Sequence, residues 1–374
     1  MAEVISARAA VLRRIGQPMR IERIAIGPVG RGDVLVKVAA ASLCHTDLEV
    51  IEGQLGIALP AVLGHEVAGT IAATGEEVHG LAAGDPVVLH WNPHCGLCFH
   101  CERGQPILCD QYLANGPKAG HFDGKGPRLA CDDGMALHQL MYLGGFAEYC
   151  VVPAQQAVRL PEGMPLDRAC LLGCAVMTGF GAATHVARMA WGDVVMVVGC
   201  GAVGLAAVQG ARLAGAGTII AVDPQSSRRA MAAHCGAGVL CDPGAEDPAA
   251  LARSLTGGRG ADVVTEAAGL PAAFRGAVEA ARPGGQVIWL GKVGVGDEVA
   301  FRWGSLMGEK HITRSSYGGA RPRKDFPAMA RAYLDGQLEL DSLVTARIPL
   351  EEINDGFAAL KRGEAIRSVV VFDA

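Results

Sequence analysis

The order of hydrophobic and polar positions divides the chain into parts of different character. Residues 1–90 contain short β-branched or apolar runs bounded by Gly, Pro and Asp, among them Val34–Ala39 and Val67–Ala73, which are typical of strands. Residues 91–145 are rich in Gly, His and Cys and show no regular period. From Val194 onward, apolar strands alternate with helix-like stretches. This alternation predicts a parallel sheet covered by helices on both faces.

The alternating part contains elements that can be named individually. The predicted strands are Val194–Val198, Thr218–Val222, Ala261–Thr265 and Gln286–Leu290. The predicted helices are Gly204–Ala214 and 271–281. After about Tyr317 the regular alternation of strands and helices ends. The pattern there predicts two amphipathic helices and a final strand, at Phe326–Leu334, Ile353–Lys361 and Ser368–Phe372.

Length and charge limit the function classes. The chain has 374 residues, half of them hydrophobic, which is enough for two or three domains. Its net charge is −5 and no basic stretch is dense enough to follow a phosphate backbone, so no nucleic-acid partner is expected. No apolar stretch reaches the roughly 18 residues of a membrane span, and residues 1–19 lack the apolar core of a signal peptide. We therefore expect a cytoplasmic protein without membrane contact, in which the clustered cysteines favour metal over disulfides.

A glycine-rich turn directly follows the predicted strand Val194–Val198 and opens the next helix. It fits the pattern G-x-G-x-x-G and consists of Gly199, Cys200, Gly201, Ala202, Val203 and Gly204. In this context the first glycine permits the tight turn, the second lets the backbone approach a pyrophosphate, and the third lets the helix pack closely. The helix N-terminus then attracts the anion. The pattern alone also occurs in α/β turns that bind no ligand, but the surrounding strand and helix favour a dinucleotide.

An acidic residue follows at the position that reads the adenosine ribose. Asp223 ends the second predicted strand, 19 residues after Gly204. A carboxylate there accepts hydrogen bonds from the ribose hydroxyls and repels a 2′-phosphate, which favours NAD over NADP. Arg228 and Arg229 lie nearby and leave the phosphorylated cofactor as an alternative.

Four cysteines fall within 15 residues, in the pattern C-x2-C-x2-C-x7-C: Cys95, Cys98, Cys101 and Cys109. Four thiolates at this spacing can surround one zinc ion, and a closed shell of this kind is structural. A ferredoxin-type cluster would place its fourth cysteine three residues on and follow it with Pro, whereas Asp110 follows here. A nucleic-acid zinc ribbon would separate two cysteine pairs more widely. Four reduced thiols without a metal are the remaining alternative.

Other cysteines and histidines have no local metal spacing. From spacing alone, Cys44, His65 and Cys174 cannot be selected over Cys131, Cys150, Cys170 or His90.

The chain resembles the zinc-containing medium-chain alcohol dehydrogenases along nearly its whole length. The resemblance is greatest to the branch of animal-type alcohol dehydrogenases and glutathione-dependent (class III-like) formaldehyde dehydrogenases. Besides the four-cysteine lobe, the glycine turn and Asp223, the matching segments are Ser42-Leu43-Cys44-His45-Thr46-Asp47, Gly64-His65-Glu66, Leu171-Leu172-Gly173-Cys174, Thr178-Gly179 and Ile366-Arg367-Ser368-Val369-Val370.

The resemblance implies an α/β fold in which a doubly wound Rossmann domain, residues 177–317, is inserted into a mostly β, GroES-like catalytic domain. The latter comprises residues 1–176 and 318–374 and carries the structural-zinc lobe at about 91–112. The family arrangement further implies a homodimer (or tetramer) that pairs the Rossmann sheets, and we expect the strand Val287–Leu290 to supply that edge.

The resemblance also assigns roles to single residues. It implies that Cys44, His65 and Cys174 bind a catalytic zinc with one open position, so that two zinc ions are expected per chain. Asp47 orients His65, Glu66 lies behind the metal, and Thr46 hydrogen-bonds the substrate oxygen and passes its proton outward. Cofactor contacts are implied for His45, Thr178, Arg228 and Arg367.

These roles predict reversible oxidation of a small-molecule alcohol to an aldehyde or ketone, with hydride transfer to NAD. The competing hypotheses are a formaldehyde dehydrogenase acting on a glutathione or other thiol adduct, a zinc-free quinone or enoyl reductase, and a nucleotide-binding protein without catalysis.

Glu49 occupies the position where many animal-type members end the proton path on an imidazole. Trp91, four residues before Cys95, lies where the family lines its substrate pocket with an aromatic; it either favours a flat, apolar alcohol there or is a plain core residue.

Overall fold

The structure is a computed structural model, and it describes residues 5–114 and 120–372. The chain separates into two compact units. The first unit comprises residues 1–174, 322–336 and 343–374, and the second comprises residues 175–321 and 337–342.

The strands are numbered in chain order: β1 (Ile5–Leu12), β2 (Arg20–Ile26), β3 (Asp33–Ser42), β4 (Ala61–Val62), β5 (Glu66–Thr74), β6 (Pro86–Leu89), β7 (Leu129–Cys131), β8 (Ala136–Gln139), β9 (Tyr149–Pro153), β10 (Ala157–Arg159), β11 (Val194–Val198), β12 (Thr218–Val222), β13 (Val239–Cys241), β14 (Ala261–Glu266), β15 (Ala281–Trp289), β16 (His311–Arg314), β17 (Val344–Ile348) and β18 (Arg367–Val371).

The α-helices are α1 (His45–Ile51), α2 (Phe99–Glu102), α3 (Asp110–Ala114), α4 (Leu166–Ala169), α5 (Ala175–Gly181), α6 (Ala202–Leu213), α7 (Ser226–Cys235), α8 (Pro248–Leu255), α9 (Pro271–Ala280), α10 (Trp303–Leu306), α11 (Pro322–Leu334) and α12 (Ile353–Lys361). Among the described helices none is by itself long and apolar enough to cross a membrane; residues 166–173 and 175–186 reach that length only as a pair.

The first unit is mostly β. Strands β1, β2, β7, β8 and β4 close a small barrel, and β10, β6, β5, β3, β18 and β17 form a second sheet in that order, with β9 paired to β3. The long strand β3 pairs with both β5 and β18. The predicted zinc ligands Cys44 and His65 lie after β3 and before β5, and Arg367, a predicted cofactor contact, begins β18, so this pairing brings those segments together.

The second unit is a parallel sheet of six strands in the order β13-β12-β11-β14-β15-β16. This is the doubly wound order in which the two halves of the sheet run outward from the first and fourth strands. Its apolar core contains Met196, Ile220, Val264 and Val287, which come from four neighbouring strands and are all fully buried. The predicted combination of a Rossmann domain with a GroES-like, mostly β domain is confirmed.

Strand β16 corrects the prediction about the sheet edge. Val287–Leu290 was expected to form the edge, but Val287 pairs with Ile312 of β16, which lies outside it. The segment His311–Arg314 is short, and three of its four residues are exposed. It therefore carries none of the apolar pattern by which the inner strands are predicted.

The segment 337–342 also differs from the predicted division, which placed all of residues 318–374 in the first domain. It belongs to the second unit. The side-chain amide of Gln209 on α6 exchanges two hydrogen bonds with the backbone of Glu339, at 2.9 and 2.6 Å. These contacts between residues 130 positions apart hold the segment on α6. The principal boundaries lie at 174/175 and 321/322, compared with the predicted 176/177 and 317/318.

Candidate active site

Helix α1 presents one face of the candidate metal centre. Cys44 occupies its N-cap position in extended conformation, and the backbone N–H of Leu43 is bonded to the carbonyl of Ser368 on β18 at 2.9 Å. The first turn then carries His45, Thr46 and Asp47, of which the first is exposed, the second half-buried and the third buried. A single short helix thus positions a thiol, a hydroxyl and a carboxylate.

Gly64 explains the conformation of the segment that carries His65. Its φ of +94° lies in the left-handed region, and a Cβ there would lie 2.7 Å from the backbone N of Phe146. Only glycine fits such a position without strain. The N–H of Gly64 donates to Oδ1 of Asp47 at 2.9 Å, which ties this turn to helix α1.

The imidazole of His65 is oriented from behind. Its Nδ1 lies 3.1 Å from Oδ2 of Asp47, and both side chains are buried. The other ring nitrogen, Nε2, is buried and has no hydrogen-bond partner among the described residues. A carboxylate that holds one nitrogen while the other points into a set of ligands is the arrangement found for metal-binding histidines.

Ligand atoms of Cys44, His65, Glu66 and Cys174 all lie within 4.8 Å of one another. Two thiolates and one imidazole, with a carboxylate beside them, are the donor set of a catalytic zinc site. The unpartnered Nε2 of His65 fits this ion because a ligand there would satisfy the buried nitrogen. Cys131, Cys150, Cys170 and His90, which spacing left as alternatives, are not part of the cluster.

Charges around the cluster are balanced by Arg367. Its Nε lies 3.4 Å from Oε2 of Glu66, and its Nη2 lies 3.9 Å from Sγ of Cys44. Burial raises the pKa of Glu66 to about 7, against the attraction of Arg367. A hydrogen bond with Cys174, together with His65 and Arg367, holds the pKa of Cys44 well below its ordinary value against burial. The guanidinium is buried within the first unit, and its contact with the cofactor stays a prediction.

The four lobe cysteines also converge. Ligand atoms of Cys95, Cys98, Cys101 and Cys109 lie within 4.8 Å of one another. Backbone N–H groups donate to the sulfurs: Cys95 to Cys109 at 3.3 Å and Asp110 to Cys98 at 3.4 Å. Backbone hydrogen bonds from Cys101 and Asp110 lower the pKa of Cys98 to about 6. Amide donors aimed at sulfur stabilise thiolates, so this donor set fits a closed zinc site.

The glycine turn has the shape that a pyrophosphate requires. Gly199 has a φ of +89°, and a Cβ on Gly204 would overlap its carbonyl oxygen, so the helix starts directly against the turn. A Cβ on Gly201 would meet only the guanidinium of Arg228, at 3.6 Å. The backbone at Gly201, the N-cap of α6, is therefore open on the side where Ala202 and Val203 begin the helix. These features match the roles predicted for the three glycines.

Asp223 lies next to this turn, and its carboxylate accepts a hydrogen bond from the N–H of Cys200 at 2.8 Å. Thr178 on α5 is buried, and its hydroxyl has no hydrogen-bond partner among the described residues. A buried hydroxyl without a hydrogen bond is unfavourable, so this group is suited to bonding a ligand. The roles given to Thr178, Asp223 and Arg228 in cofactor binding stay predictions.

No sequence pattern singles out Tyr112 as a candidate pocket residue. Its ring lies 6.4 Å from that of Trp91, and both residues are buried. Burial raises the pKa of Tyr112, and the charges of Tyr142 and Cys174 raise it further. Tyr112 therefore packs beside the predicted pocket residue Trp91. No periodicity or motif carries this information, because the contact joins segments distant in sequence.

Comparison with known proteins agrees with this geometry. The family model for an alcohol dehydrogenase GroES-like domain matches residues 30–162, and that for a zinc-binding dehydrogenase matches residues 202–335. Alcohol dehydrogenase 1 of Pisum sativum is 33% identical over 99% of this chain and 98% of its own length. An S-(hydroxymethyl)glutathione dehydrogenase of Synechocystis is 35% identical over 98% of this chain and 100% of its own.

A solved structure extends the comparison to three dimensions. Benzyl alcohol dehydrogenase from Acinetobacter calcoaceticus superimposes with a TM-score of 0.92 at 29% identity, covering 99% of this chain and 100% of that chain. Family models, full-length relatives and the convergence of both ligand sets lead to the same assignment. This chain belongs to the zinc-containing medium-chain alcohol dehydrogenase family.

Proposed function

We propose that this protein catalyses the reversible, zinc-dependent oxidation of a small apolar alcohol to an aldehyde or ketone, with NAD as hydride acceptor. The observation that carries the proposal is the convergence of Cys44, His65 and Cys174 in one buried cluster, with Nε2 of His65 lacking a partner among the described residues. A zinc ion held there acts as a Lewis acid that lowers the pKa of a bound alcohol. NAD, when bound, supplies the hydride acceptor.

The chain's own groups position the reactants and move the proton. Asp47 fixes the imidazole of His65, and Arg367 offsets the buried negative charge of Glu66. Thr46 lies in the first turn of α1, two residues after Cys44, and receives the hydroxyl proton of the substrate. Glu49, half-buried one turn further along the helix, accepts that proton at the outer end of the path.

The preference for NAD follows from Asp223, whose negative charge opposes a 2′-phosphate. The turn Gly199–Gly204 and the N-terminus of α6 would hold the pyrophosphate of the cofactor, and Arg228 lies beside Gly201 in that turn. A second, structural zinc occupies the lobe cysteines and gives two ions per chain.

The aromatic pair of Trp91 and Tyr112 supports a flat, apolar substrate. Glutathione adducts are the alternative, since relatives include an S-(hydroxymethyl)glutathione dehydrogenase. Against this alternative, Leu55, Ile57 and Ala58 make the loop after α1 largely apolar, and the segment Asp110–Leu113 after the lobe contains no arginine. A glutathione carboxylate would find poor anchors there.

We also propose a cytoplasmic homodimer. None of the twelve cysteines, all of which lie in the described residues, forms a disulfide, as expected in a reducing compartment. Strand β16 forms an edge of its sheet, and the preceding segment exposes the apolar side chains of Trp303 and Met307. An open strand edge beside exposed apolar groups is suited to pairing with a second copy.

The test is formation of NADH by the purified, zinc-loaded protein over a panel of aliphatic, aromatic and terpenoid alcohols and S-(hydroxymethyl)glutathione, with zinc content measured in parallel. We expect the highest kcat/KM for an aromatic or other flat apolar alcohol, and no activity in Cys174→Ser. Preference for the glutathione adduct would support the alternative substrate. Full activity without bound zinc would overturn the proposal.

A further inference from the structure

Two acidic residues stand at the same edge of the parallel sheet. Val222, the last residue of β12, pairs with Cys241, the last residue of β13, and the N–H of Asp223 donates to the carbonyl of Cys241 at 3.2 Å. Asp223 and Asp242 therefore follow neighbouring strands directly. Ligands of open parallel sheets bind beyond this carboxyl edge, so both carboxylates lie on the side where the cofactor is expected.

Arg229 links the ends of the two strands. Its Nη1 donates to the carbonyl of Asp223 at 2.7 Å and to that of Pro224 at 2.9 Å. The same nitrogen lies 3.1 Å from Oδ2 of Asp242. A nitrogen with two N–H bonds that faces three oxygens is fully engaged.

Asp242 is itself held in a fixed direction. Its Oδ1 accepts a hydrogen bond from the N–H of Gly244 at 2.9 Å, which leaves Oδ2 directed at Arg229. The Arg229 side chain is 18% exposed and that of Asp242 is 35% exposed, so solvent only partly screens the pair. The guanidinium is therefore restrained by two backbone carbonyls and by a carboxylate that is positioned by its own turn.

An arginine at this place would otherwise suit the phosphorylated cofactor. A guanidinium next to the ribose-binding acid can hold a 2′-phosphate through two parallel N–H bonds. Because Nη1 is already hydrogen-bonded, one of the two pairs of guanidinium N–H groups that could bind a phosphate is occupied. Arg229 thus lies beside the acid proposed to bind the ribose, and its partners occupy one of its terminal nitrogens.

We propose that Asp242 is a second determinant of cofactor specificity, which keeps Arg229 from binding a 2′-phosphate. This inference rests on the proposed use of NAD. Asp223 acts on the cofactor directly, whereas Asp242 acts through Arg229 and is a positioning residue.

The test compares Asp242→Asn with the wild type in the zinc-loaded enzyme. Asparagine keeps the oxygen that accepts from Gly244 and leaves the bonds of Arg229 to the carbonyls of Asp223 and Pro224, but it loses the negative charge that offsets the guanidinium. We expect the ratio of kcat/KM for NADP to that for NAD to rise about tenfold or more, as for a regained charge-assisted contact, and the Kd of NADPH to fall in parallel. Asp242→Ser, which also offers an oxygen to the turn, serves if the asparagine variant does not fold.

Two controls separate the restraint from a general change of charge. Glu246→Gln removes an exposed carboxylate four residues away and should leave the ratio unchanged. The double variant D242N/R229A should lose the gain, because the phosphate ligand is gone. A ratio unchanged in D242N, or a gain that persists in the double variant, would overturn the inference. A wild type that prefers NADP would instead refute the proposed cofactor, and the role of Asp242 would still be decided by whether D242N changes the ratio.

Discussion

Asp47 and His65 form a buried pair in which Oδ2 of the carboxylate lies 3.1 Å from Nδ1 of the ring. The same carboxylate accepts the N–H of Gly64 at 2.9 Å, so it fixes both the backbone and the side chain of the candidate ligand. This arrangement predisposes Nε2 toward the cluster before an ion binds. Metal binding then requires no reorientation of the imidazole ring, which favours higher affinity.

Asp47→Asn should weaken zinc binding at this cluster without emptying the lobe. Loss of such an outer carboxylate typically lowers metal affinity or activity about 10- to 100-fold. Titration with a chelator, followed by measurement of zinc per chain, should show one ion leaving the variant at lower chelator concentration than in the wild type. Unchanged chelator resistance would contradict the orienting role of Asp47.

Removal of the two metals should have different consequences. Cys98→Ser breaks the lobe, in which residues 94–108 include no buried side chain, so the melting temperature should fall by several degrees because metal binding contributes to folding there. Cys44→Ser should abolish alcohol oxidation with a smaller effect on melting. Zinc analysis should give about one ion per chain for each variant. Equal loss of stability in both would argue against a structural role specific to the lobe.

Gly201→Ala should separate cofactor binding from folding. The added methyl meets only the guanidinium of Arg228, at 3.6 Å, so the protein should fold normally. It would, however, project from the N-cap into the space proposed for the pyrophosphate and raise the Kd of NADH, measured by fluorescence titration, about tenfold or more. Gly204→Ala is the matched contrast: its Cβ overlaps the carbonyl oxygen of Gly199, so folding itself should suffer. An unaffected Kd in Gly201→Ala would place the cofactor elsewhere.

Trp91→Ala should broaden the accepted alcohols. The ring is 8% exposed and packs beside Tyr112, so its removal leaves a cavity that larger or branched substrates can enter. The KM for flat aromatic alcohols should rise while bulkier alcohols gain in kcat/KM. Tyr112→Phe, which keeps the ring, should retain the original order of substrates. Unchanged selectivity of the alanine variant would show that Trp91 is only a core residue.

The buried imidazole of His90 should make the free energy of unfolding decrease in mildly acidic solution. Its Nε2 contacts the carbonyl of Gln155 at 2.7 Å, and burial lowers its pKa to about 4 from an ordinary value of 6.5. Between these values the unfolded chain binds more protons than the folded one, so stability falls as the pH drops from 6.5 toward 4. The loss attributable to this residue can reach about 3 kcal/mol.

Denaturant melts at several pH values test this dependence. His90→Gln should weaken the decline of stability between neutral pH and pH 5, whatever its effect at neutral pH. Replacement of the exposed His79 by Gln should leave the wild-type pH profile intact. An undiminished acid response in His90→Gln would assign it to other groups.

Sequence reasoning succeeded where one local pattern determines the structure. The strand Val194–Val198 was predicted with its observed limits, because its apolar run is bounded by a charged residue and a glycine. The four lobe cysteines are also local, and their spacing alone indicates that they can meet around one ion. Helix α11 begins four residues before the predicted Phe326, since the prolines around it obscured the helical period of its first turn.

The remaining features depend on contacts between distant segments. The selection of Cys44, His65 and Cys174 needed the family resemblance, because their separations along the chain carry no metal spacing. Strand β16 was not predicted, because its residues show no strand pattern of their own and form a strand by pairing with β15. Arg229 and Asp242 are brought together by the parallel pairing of β12 and β13. No feature of either residue's neighbours in sequence indicates that contact.

Helix α1, only seven residues long, has a consequence for the inactivation of the enzyme by heat. A thiol at its N-cap and a hydroxyl and carboxylate in its first turn would all lose their positions in the same opening event. A short helix can open locally with a smaller free energy than that of global unfolding. We therefore expect turnover to cease on heating at a temperature below that at which the two units lose their folds.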